Sequence, residues 1–527
     1  MKVSLLLSVV LLQALGCGLG ARILAVLPFP VRSHFFFLSA ILKALSERGH
    51  HIVEYSPFPP SKPLANYTHV EVHTFLDGFI KEWSFEEFLE ISKDVPVLGL
   101  GFINVWNVSR KVCEEAFQHE NLKRLIGSDE KFDLVITESA LGQESMLVFG
   151  HRFRAPTVTL HTFSSWSGIN RDAGNALSIA AIPDISSVVA TDQMSFVDRF
   201  LNFISILTTL FIYYNHHLPL QDNVLKENYK MDAPPVADMV SNVSLYLINT
   251  HPTVEYSKPY TPNIVPVGGI VIEADRAPLP QDIQKFMDGA AKDGAIYFSL
   301  GTLVPIHRMP SDQLQMFVNV FNKLKQKVLW RINLDTIPGL SDNVKLIKWV
   351  PQPGVLAHPN CVLFITHGGL FGQQEAIHAG VPTVGIPIFA DQPYNIKFAE
   401  HRGIGVKLTF NTLSEETIYT AINTVLNNPK YKENAQRLSR IFRDRPMSPA
   451  DSAVFWVEYV LRHGGAHHLR SAATQLSWYK LALLDVLAAV LAVVATIIIL
   501  LFVLRRICSL VFIAKKQSKV TTMKKEN

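Results

Sequence analysis

Arg22-Ile-Leu-Ala-Val-Leu-Pro28, an apolar run at helical spacing from Phe35 to Arg48, Gly49, and then His51-Ile-Val-Glu-Tyr55 together decide the fold. The first and last of these segments are short, continuous and apolar, as strands covered on both faces are, and Gly49 ends the helix between them. Strand, helix and strand joined by short turns form a βαβ unit, which implies a parallel sheet. The same alternation returns at Asp133-Leu-Val-Ile-Thr137, Pro156-Thr-Val-Thr-Leu160 and Ser244-Leu-Tyr-Leu-Ile-Asn249. From His251 to Pro280 the texture changes: prolines at 252, 259, 262, 266, 278 and 280 surround Gly268-Gly269, the composition of an interdomain linker. A second series follows at Ala295 to Leu300, a helix over Asp312 to Lys325, Val328 to Ile332, Val344 to Trp349, Val362 to Thr366 and Pro382 to Ile386. The expected fold class is α/β, with two Rossmann-like doubly wound domains in tandem at 21–270 and 271–475.

Composition narrows the function classes. The chain has 527 residues, 48% of them hydrophobic, with 49 Lys plus Arg against 45 Asp plus Glu. So apolar and charge-balanced a sequence is neither disordered nor built for nucleic acid, and its length suits two or three domains, each with its own core. The charge is unevenly placed. Residues 505–527 carry seven basic groups against Glu526, which leaves the remainder with 42 basic and 44 acidic side chains. Just before that tail, Val486 to Leu504 is a run of 19 residues without a charge, extended backwards through Leu481 to Leu484 across Asp485. At 1.5 Å per residue it spans ~28 Å, enough for a bilayer, so 480–504 is expected to be a transmembrane helix. The basic flank predicts a cytosolic tail over 505–527.

At the other end, Met1-Lys2, the apolar Val3 to Leu15 and the small residues from Gly16 to Ala21 read as a secretory signal over 1–20. Signal and single span together predict a type I protein whose folded part lies in a lumen or outside the cell. Three glycosylation sequons agree: Asn66-Tyr-Thr68, Asn107-Val-Ser109 and Asn242-Val-Ser244. Of the four cysteines, Cys17 falls in the signal and Cys508 beyond the span. Cys113 and Cys361, far apart in sequence, read as buried small hydrophobes rather than a disulfide framework. Phe200 to Tyr214 fits neither sheet. It is too short for a span, which leaves a helix lying on a membrane, one lining a pocket, or a plain buried helix.

The densest chemical constellation runs from Trp349 to Asn395. His367-Gly368-Gly369 falls where a buried strand ends and a helix begins; glycines there let backbone N–H groups approach an anion, and the helix N-terminus favours negative charge. A diphosphate suits that position. Glu375 lies six residues further, about 9 Å along the helix, and leans back toward its start, where it can accept hydrogen bonds from a ribose diol. Trp349 offers a face for a flat base. Asp391-Gln392 follows the next strand on the same edge and places an acceptor and an amide near whatever the phosphate carries. Other readings of His-Gly-Gly lack their companions: the chain has no Gly-x-Ser-x-Gly elbow, no Gly-x4-Gly-Lys-Ser/Thr loop, no His-Glu-x-x-His, and no Asp-x-Asp pair that would clamp a metal on the diphosphate.

From Trp349 to Asn395 the sequence resembles the signature of the UDP-glycosyltransferase family, in its membrane-bound animal branch and most like the insect members. The likeness covers essentially the whole chain. It implies the GT-B fold, with the donor held mainly by the C-terminal domain and the acceptor by the N-terminal one. On matching positions it implies that Trp349 and Gln352 hold uridine, His367 and the nearby backbone the diphosphate, Glu375 the ribose, and Asp391 with Gln392 the sugar hydroxyls. Ser299 and Thr302, in Phe-Ser-Leu-Gly-Thr, match a loop facing the diphosphate. The family's catalytic histidine, in the loop after the first strand, corresponds to His34. That residue sits at a C-terminal strand edge, and its imidazole can take a proton from a hydroxyl near neutral pH. Its partner is an Asp in the family pattern, whereas Phe132-Asp133-Leu-Val-Ile-Thr-Glu138 places Glu138 there, one methylene longer. A second departure is Phe371, where vertebrate relatives carry an Asn near the phosphates.

The expected function is therefore an inverting, metal-independent transfer of a hexose, glucose in preference, from a UDP-sugar to a hydroxyl of a small lipophilic acceptor. The UDP-sugar is a co-substrate, and no cofactor is called for. UDP-glucuronate is the alternative donor, and a non-catalytic lipophile binder or partner subunit is the alternative from another class. No residue shows whether the chain forms homo- or hetero-oligomers. Lys524-Lys525-Glu526-Asn527 matches the dilysine retrieval pattern of type I endoplasmic reticulum proteins, which places the active site in the lumen. The acceptor pocket is expected around Trp83 to Trp106 and Phe163 to Tyr214.

Overall fold

A computed structural model describes residues 20–76, 84–92, 102–139, 141–187, 189, 191–274 and 278–523. Residues 1–19 of the predicted signal, the terminal lysines and Trp83 lie outside them. The chain forms two compact units, one ending at Ser471 and one beginning at Ala472.

The first unit contains two parallel sheets. In the first, β1 (Arg22–Val26), β2 (His51–Ser56), β3 (Tyr67–Glu71), β4 (Leu134–Thr137), β5 (Thr157–His161), β6 (Leu245–Ile248) and β7 (Ile264–Pro266) are ordered β3-β2-β1-β4-β5-β6-β7. In the second, β8 (Ala295–Ser299), β9 (Lys327–Arg331), β10 (Val344–Ile347), β11 (Cys361–Thr366), β12 (Thr383–Gly385) and β13 (Gly405–Lys407) are ordered β10-β9-β8-β11-β12-β13. In each sheet the chain starts in the middle, winds to one edge, then returns to wind the other way. The winding reverses between β1 and β4 in the first sheet and between β8 and β11 in the second, and open sheets of this kind bind ligands beyond the carboxyl ends of those strands.

The helices that matter for the site are α1 (Arg32–Glu47), α2 (Phe196–Ile212), α3 (Gln352–Ala357), α4 (Leu370–Ala379), α5 (Gln392–His401), α6 (Pro449–Arg462) and α7 (Leu484–Met523). Helix α1 buries Phe37, Leu38, Ile41, Leu42 and Leu45 against Ile23, Ala25 and Leu27 beside β1, in the βαβ arrangement that the opening sequence predicts. It begins three residues earlier than the apolar spacing indicates, because Arg32, Ser33 and His34 add a polar first turn.

Two further differences concern the domain division at 270 and 475. Inside the Pro-rich stretch, Ile264–Pro266 forms β7 at the edge of the first sheet, with Pro266 as the last strand residue, where a missing N–H costs little. Helix α6, assigned by sequence order to the second domain, packs instead on the first: Ala453, Val454, Val457 and Val460 join one core with Ile23, Ala25, Phe37 and Ile41. The sequence of α6 shows an apolar face but not which sheet will cover it.

The second unit consists mainly of α7, 40 residues long, with its side chains exposed from Leu484 through Ser518 and a mean hydropathy of 3.3 over its most apolar 18 residues. The helix continues through Arg505 and Arg506, so the basic segment extends it rather than forming a loose tail.

The first sheet contains one unfavourable charge. Glu54 on β2 is fully buried; the Tyr67 hydroxyl donates to its Oε2 at 2.7 Å, and Oε1 has no partner among the described residues. Burial raises its pKa from 4.5 to about 7. The folded protein therefore holds this proton more tightly than the unfolded chain, so its contribution is most favourable below pH 4.5 and is lost as pH rises toward 7. At pH 8 the ionised carboxylate costs about 3 kcal/mol, from 1.36 kcal/mol per unit. Glu54→Gln is expected to raise the thermal midpoint at pH 8 and to change it much less at pH 5. An equal shift at both values would contradict this account.

Candidate functional site

The two reversal points bring together residues that are distant in sequence. In the first domain, α1 starts beyond β1 and carries His34 in its first turn, while Glu138 directly follows β4. The sequence reading had His34 in a loop; the helix instead fixes its backbone. Both side chains are buried. They do not bond directly: His34 Nδ1 and Glu138 Oε1 are 3.7 Å apart. Thr162, just past β5, connects them. Its hydroxyl lies 2.6 Å from Glu138 Oε1 and 3.2 Å from His34 Nδ1. A hydroxyl has one proton to give, and an ionised carboxylate can only accept. Thr162 therefore donates to Glu138 and accepts from His34, which puts the imidazole proton on Nδ1. Nε2 is left as the basic nitrogen, with no partner among the described residues. This tautomer is the one a general base needs.

Thr162 was not found from sequence, although its place after a strand of the predicted sheet was the available signal. Its hydroxyl lies between Glu138, one methylene longer than the Asp of the family pattern, and His34. The Thr162 carbonyl in turn accepts from Asn249 Nδ2 at 3.0 Å, which anchors this segment to the end of β6.

Apolar side chains surround His34. Phe163 meets the ring edge-on at 4.9 Å between centroids, with Phe29 at 6.3 Å and Phe371 at 6.4 Å. Phe29 also belongs to a small cluster with Val31, Leu76, Val112 and Leu141, against which Phe163 and Leu303 pack. Phe163 lies in the stretch expected to line an acceptor pocket. Trp106 does not serve that purpose: it is buried, stacked on Phe102 and His217 and tilted against Trp166.

In the second domain, parallel register sets Thr366 of β11 opposite Ser299 of β8, so the Ser299 and His367 turns lie side by side. Ser299 is buried and its Oγ accepts from the Gly301 N–H at 3.3 Å; Thr302 is exposed. Gly301 has φ +79°, and a Cβ there would lie 2.6 Å from His367 Nε2; one on Gly369 would lie 2.7 Å from the same atom. Only glycine lets the imidazole sit between these two turns. Gly368, at φ +87°, donates its N–H to Thr366 Oγ1 at 3.2 Å. Burial and the nearby Arg331 lower the His367 pKa to about 4, so the ring is neutral, and its buried Nδ1 has no partner among the described residues. A buried ring nitrogen without a partner, beside the start of α4, fits an anionic group contributed by a ligand.

Gln352, at the start of α3, donates Nε2 to Glu375 Oε2 at 2.5 Å, which joins two residues expected at the nucleoside end; Trp349 is 58% exposed nearby in sequence. Asp391 follows the left-handed Ala390 (φ +54°), a strained position of the kind that persists where surrounding structure enforces it. Burial raises its carboxyl pKa from 3.8 to about 6, opposed by a hydrogen bond from Asn395 and by the charge of His34. Asp391 of the second domain thus lies within electrostatic reach of His34 in the first. Asn395 donates to Asp391 Oδ2 at 2.7 Å and to the Gly368 carbonyl at 3.0 Å, linking the turn before α5 to that before α4. Gln392 Oε1 accepts from the Ile388 and Phe389 N–H groups and so shapes the turn.

Helix α4 holds the domains together. Gln374 Oε1 accepts from the Gly269 N–H at 2.8 Å and its Nε2 donates to the Asn249 carbonyl at 3.2 Å, while Leu370 and Ile377 share a core with Val254 and Ile272. Phe371, read from sequence as a change beside the phosphates, packs against Phe37 and His34 of the first domain.

Among the sequons, Asn66 and Asn242 are exposed. Asn107 is half-buried within a helix and Ser109 is fully buried. Cys113 and Cys361 are buried free thiols, whose pKa values burial raises to about 12.

Two doubly wound domains whose strand ends face one cleft constitute the GT-B architecture of glycosyltransferases. A solved structure titled as the glycotransferase of kitacinnamycin shares this fold with a TM-score of 0.57 at 17% identity, over 84% of this chain and 99% of that one. The chain belongs to the family described as UDP-glucoronosyl and UDP-glucosyl transferase, which it matches over residues 24–520. It is 36% identical over 517 residues to UDP-glycosyltransferase UGT5 of Dactylopius coccus, covering 96% of both chains. It is 32% identical over 498 residues to UDP-glucuronosyltransferase 2B33 of Macaca mulatta, covering 91% of both. The protein is a UDP-glycosyltransferase, and in this family the UDP-sugar is a co-substrate and transfer needs no metal.

Proposed function

We propose that this enzyme moves glucose from UDP-glucose to a hydroxyl of a small lipophilic acceptor with inversion at the anomeric carbon. The observation that carries the reading is the His34–Thr162–Glu138 chain, which leaves Nε2 of a buried imidazole basic beside an apolar cluster. His34 takes the hydroxyl proton as the acceptor oxygen attacks the anomeric carbon, and Thr162 and Glu138 stabilise the imidazolium that forms. UDP leaves against the start of α4, where Gly368, Gly369 and His367 meet the diphosphate, with Ser299 and Thr302 on the adjoining turn. Trp349 and Gln352 hold uracil, Glu375 the ribose, and Asp391 with Gln392 the sugar hydroxyls.

Glucose is preferred over glucuronate because of Asp391. The described groups that bear on its carboxyl are His34, Asn395 and the backbone N–H groups of Asp391 and Leu370, none of them a Lys or Arg that would pair a sugar carboxylate. The relative from Macaca mulatta, named a glucuronosyltransferase, supports the other donor, and direct comparison decides between them. The helix α7 is the membrane span, the folded unit lies in the endoplasmic reticulum lumen, and Asn66 and Asn242 carry the glycans.

The test is UDP release from membranes containing the full chain, with UDP-glucose and UDP-glucuronate at equal concentration against a panel of phenols and steroids. At least tenfold faster release with UDP-glucose is expected. Faster release with UDP-glucuronate overturns the donor assignment. UDP binding without release for any acceptor favours a binding role over catalysis.

A further inference from the structure

Helix α4 presents different residues to the two domains. Leu370, Gln374 and Ile377 recur at i, i+4 and i+7 and so share one side of the helix. That side faces the first domain, where Leu370 and Ile377 share a core with Val254 and Ile272. Glu375, turned about 100° further round the axis, bonds instead with Gln352 of the second domain. Gln374, between the two apolar residues, is 2% exposed. An amide buried there is costly unless both of its ends are bonded, and both are. Its Oε1 accepts from the Gly269 N–H at 2.8 Å and its Nε2 donates to the Asn249 carbonyl at 3.2 Å. One side chain of the second domain thus holds two backbone segments of the first, one directly after β6 and one just beyond β7.

The Asn249 end leads toward His34. Asn249 is fully buried; its backbone N–H donates to the His161 carbonyl at 2.8 Å and its Nδ2 to the Thr162 carbonyl at 3.0 Å. It therefore holds the end of β5 by main chain and side chain together. The Thr162 hydroxyl in turn meets Glu138 and His34 Nδ1. Gln374, Asn249, Thr162 and His34 form one series of contacts that runs from the helix starting at Gly368-Gly369 to the imidazole in the other domain.

We propose that Gln374 is a positioning residue for the transfer, which sets Thr162, and through it the His34 imidazole, at a fixed offset from α4. The inference rests on His34 as the base and extends that reading across the domain boundary. Attack requires reacting atoms about 3 to 3.5 Å apart and in line. The group that takes the proton stands on the first domain, and the helix against which UDP leaves stands on the second. The apolar contacts of Leu370 and Ile377 hold the domains together without direction, whereas a hydrogen bond weakens steeply as its angle changes. The two bonds of Gln374 fix an alignment that apolar packing alone leaves free to slide. No proton passes along the series, because the links at Asn249 join amide N–H groups to carbonyls; its effect is geometric.

The test uses the full chain in membranes, with the faster of the two UDP-sugars and the phenol that gives the fastest UDP release. Gln374→Met keeps the length and unbranched shape of the side chain and removes both bonds. It is expected to lower kcat about tenfold, less than the hundredfold that a misplacement of about 1 Å can cost. The KM for the UDP-sugar and the calorimetric affinity for UDP are expected to stay within about twofold, since the turn before α4 is untouched. Asn249→Leu removes the donor to Thr162 and leaves the bonds of Gln374 in place, so it is expected to give a similar loss by an independent route. In a Thr162→Val background Gln374→Met is expected to cost at most about threefold, because both substitutions act on the same segment, whereas independent effects multiply. A second tenfold loss in that background overturns the proposal. So does full activity in Gln374→Met or in Asn249→Leu, and so does a fall in UDP affinity that matches the fall in kcat, which marks a disturbed donor helix. His34→Ala, measured in parallel, separates the two readings. Full activity in that variant removes the base and this inference with it, while its inactivity beside a fully active Gln374→Met overturns this inference alone.

Discussion

His34→Ala is expected to lower kcat by about a thousandfold, within the range of 10² to 10⁴ that a positioned general base contributes. The affinity for UDP should stay unchanged, because the residues proposed for the diphosphate belong to the second domain whereas His34 belongs to the first. The ring is held on several sides: Thr162 on Nδ1, Phe163 on its edge, and Phe29 and Phe371 further out. A side chain fixed in this way loses little entropy when it takes a proton, which is why its removal should be felt in turnover more than in binding. The measurement is steady-state UDP release alongside UDP titration by calorimetry. Full activity in the variant would remove His34 as the base.

Thr162→Val is expected to lower kcat by about tenfold to a hundredfold with little change in KM for the UDP-sugar, and Thr162→Ser to restore most of the loss. Valine keeps the shape but removes the hydroxyl that connects two groups too far apart to bond, His34 Nδ1 and Glu138 Oε1 at 3.7 Å. The imidazole then loses the acceptor that keeps its proton on Nδ1. Glu138 loses the donor on Oε1, while its Oε2 already has no partner among the described residues. Rescue by serine distinguishes this role from packing, because serine restores the hydrogen bond but not the methyl group. If Thr162→Ser were as slow as Thr162→Val, the hydroxyl would not be the operative group.

The fold was largely legible because its signals are local. Buried strands read as short apolar runs, and those quoted from Arg22, Asp133, Pro156 and Ser244 correspond to β1, β4, β5 and β6. The strands that were missed are weak by the same criterion. β3 is only partly buried and carries Tyr67, Thr68 and His69, while β7 and β13 have three residues each. The boundaries of α1 and the placement of α6 escaped for a different reason: a polar first turn adds no periodicity, and an apolar face does not name the sheet that will cover it.

The same division applies to the site. Gly-Gly after a buried strand, with an acid about one and a half turns on, is a pattern within a single βα unit, and its reading as a phosphate and ribose position needs no reference to the rest of the chain. Thr162 has no such pattern. It matters only because β5 lies beside β4, which brings a hydroxyl after one strand to a carboxylate after the next. Phe371 was read by its neighbours in sequence, and the packing turned it toward the other domain.

By itself, the sequence determined the two tandem α/β domains, the Gly-Gly turn after a buried strand, the apolar C-terminal helix and the pairing of His34 with an acid after β4. Only the tertiary structure decided that a hydroxyl mediates that pairing, that α4 joins the domains, and that α2 turns its phenylalanines outward. Periodicity is a property of neighbouring residues and survives in the linear chain. Which side of a helix faces inward, and which side chain completes a contact, depends on the elements packed against it. Asn202 faces inward because the carbonyls of Ile179 and Ile182 wait there to accept its amide.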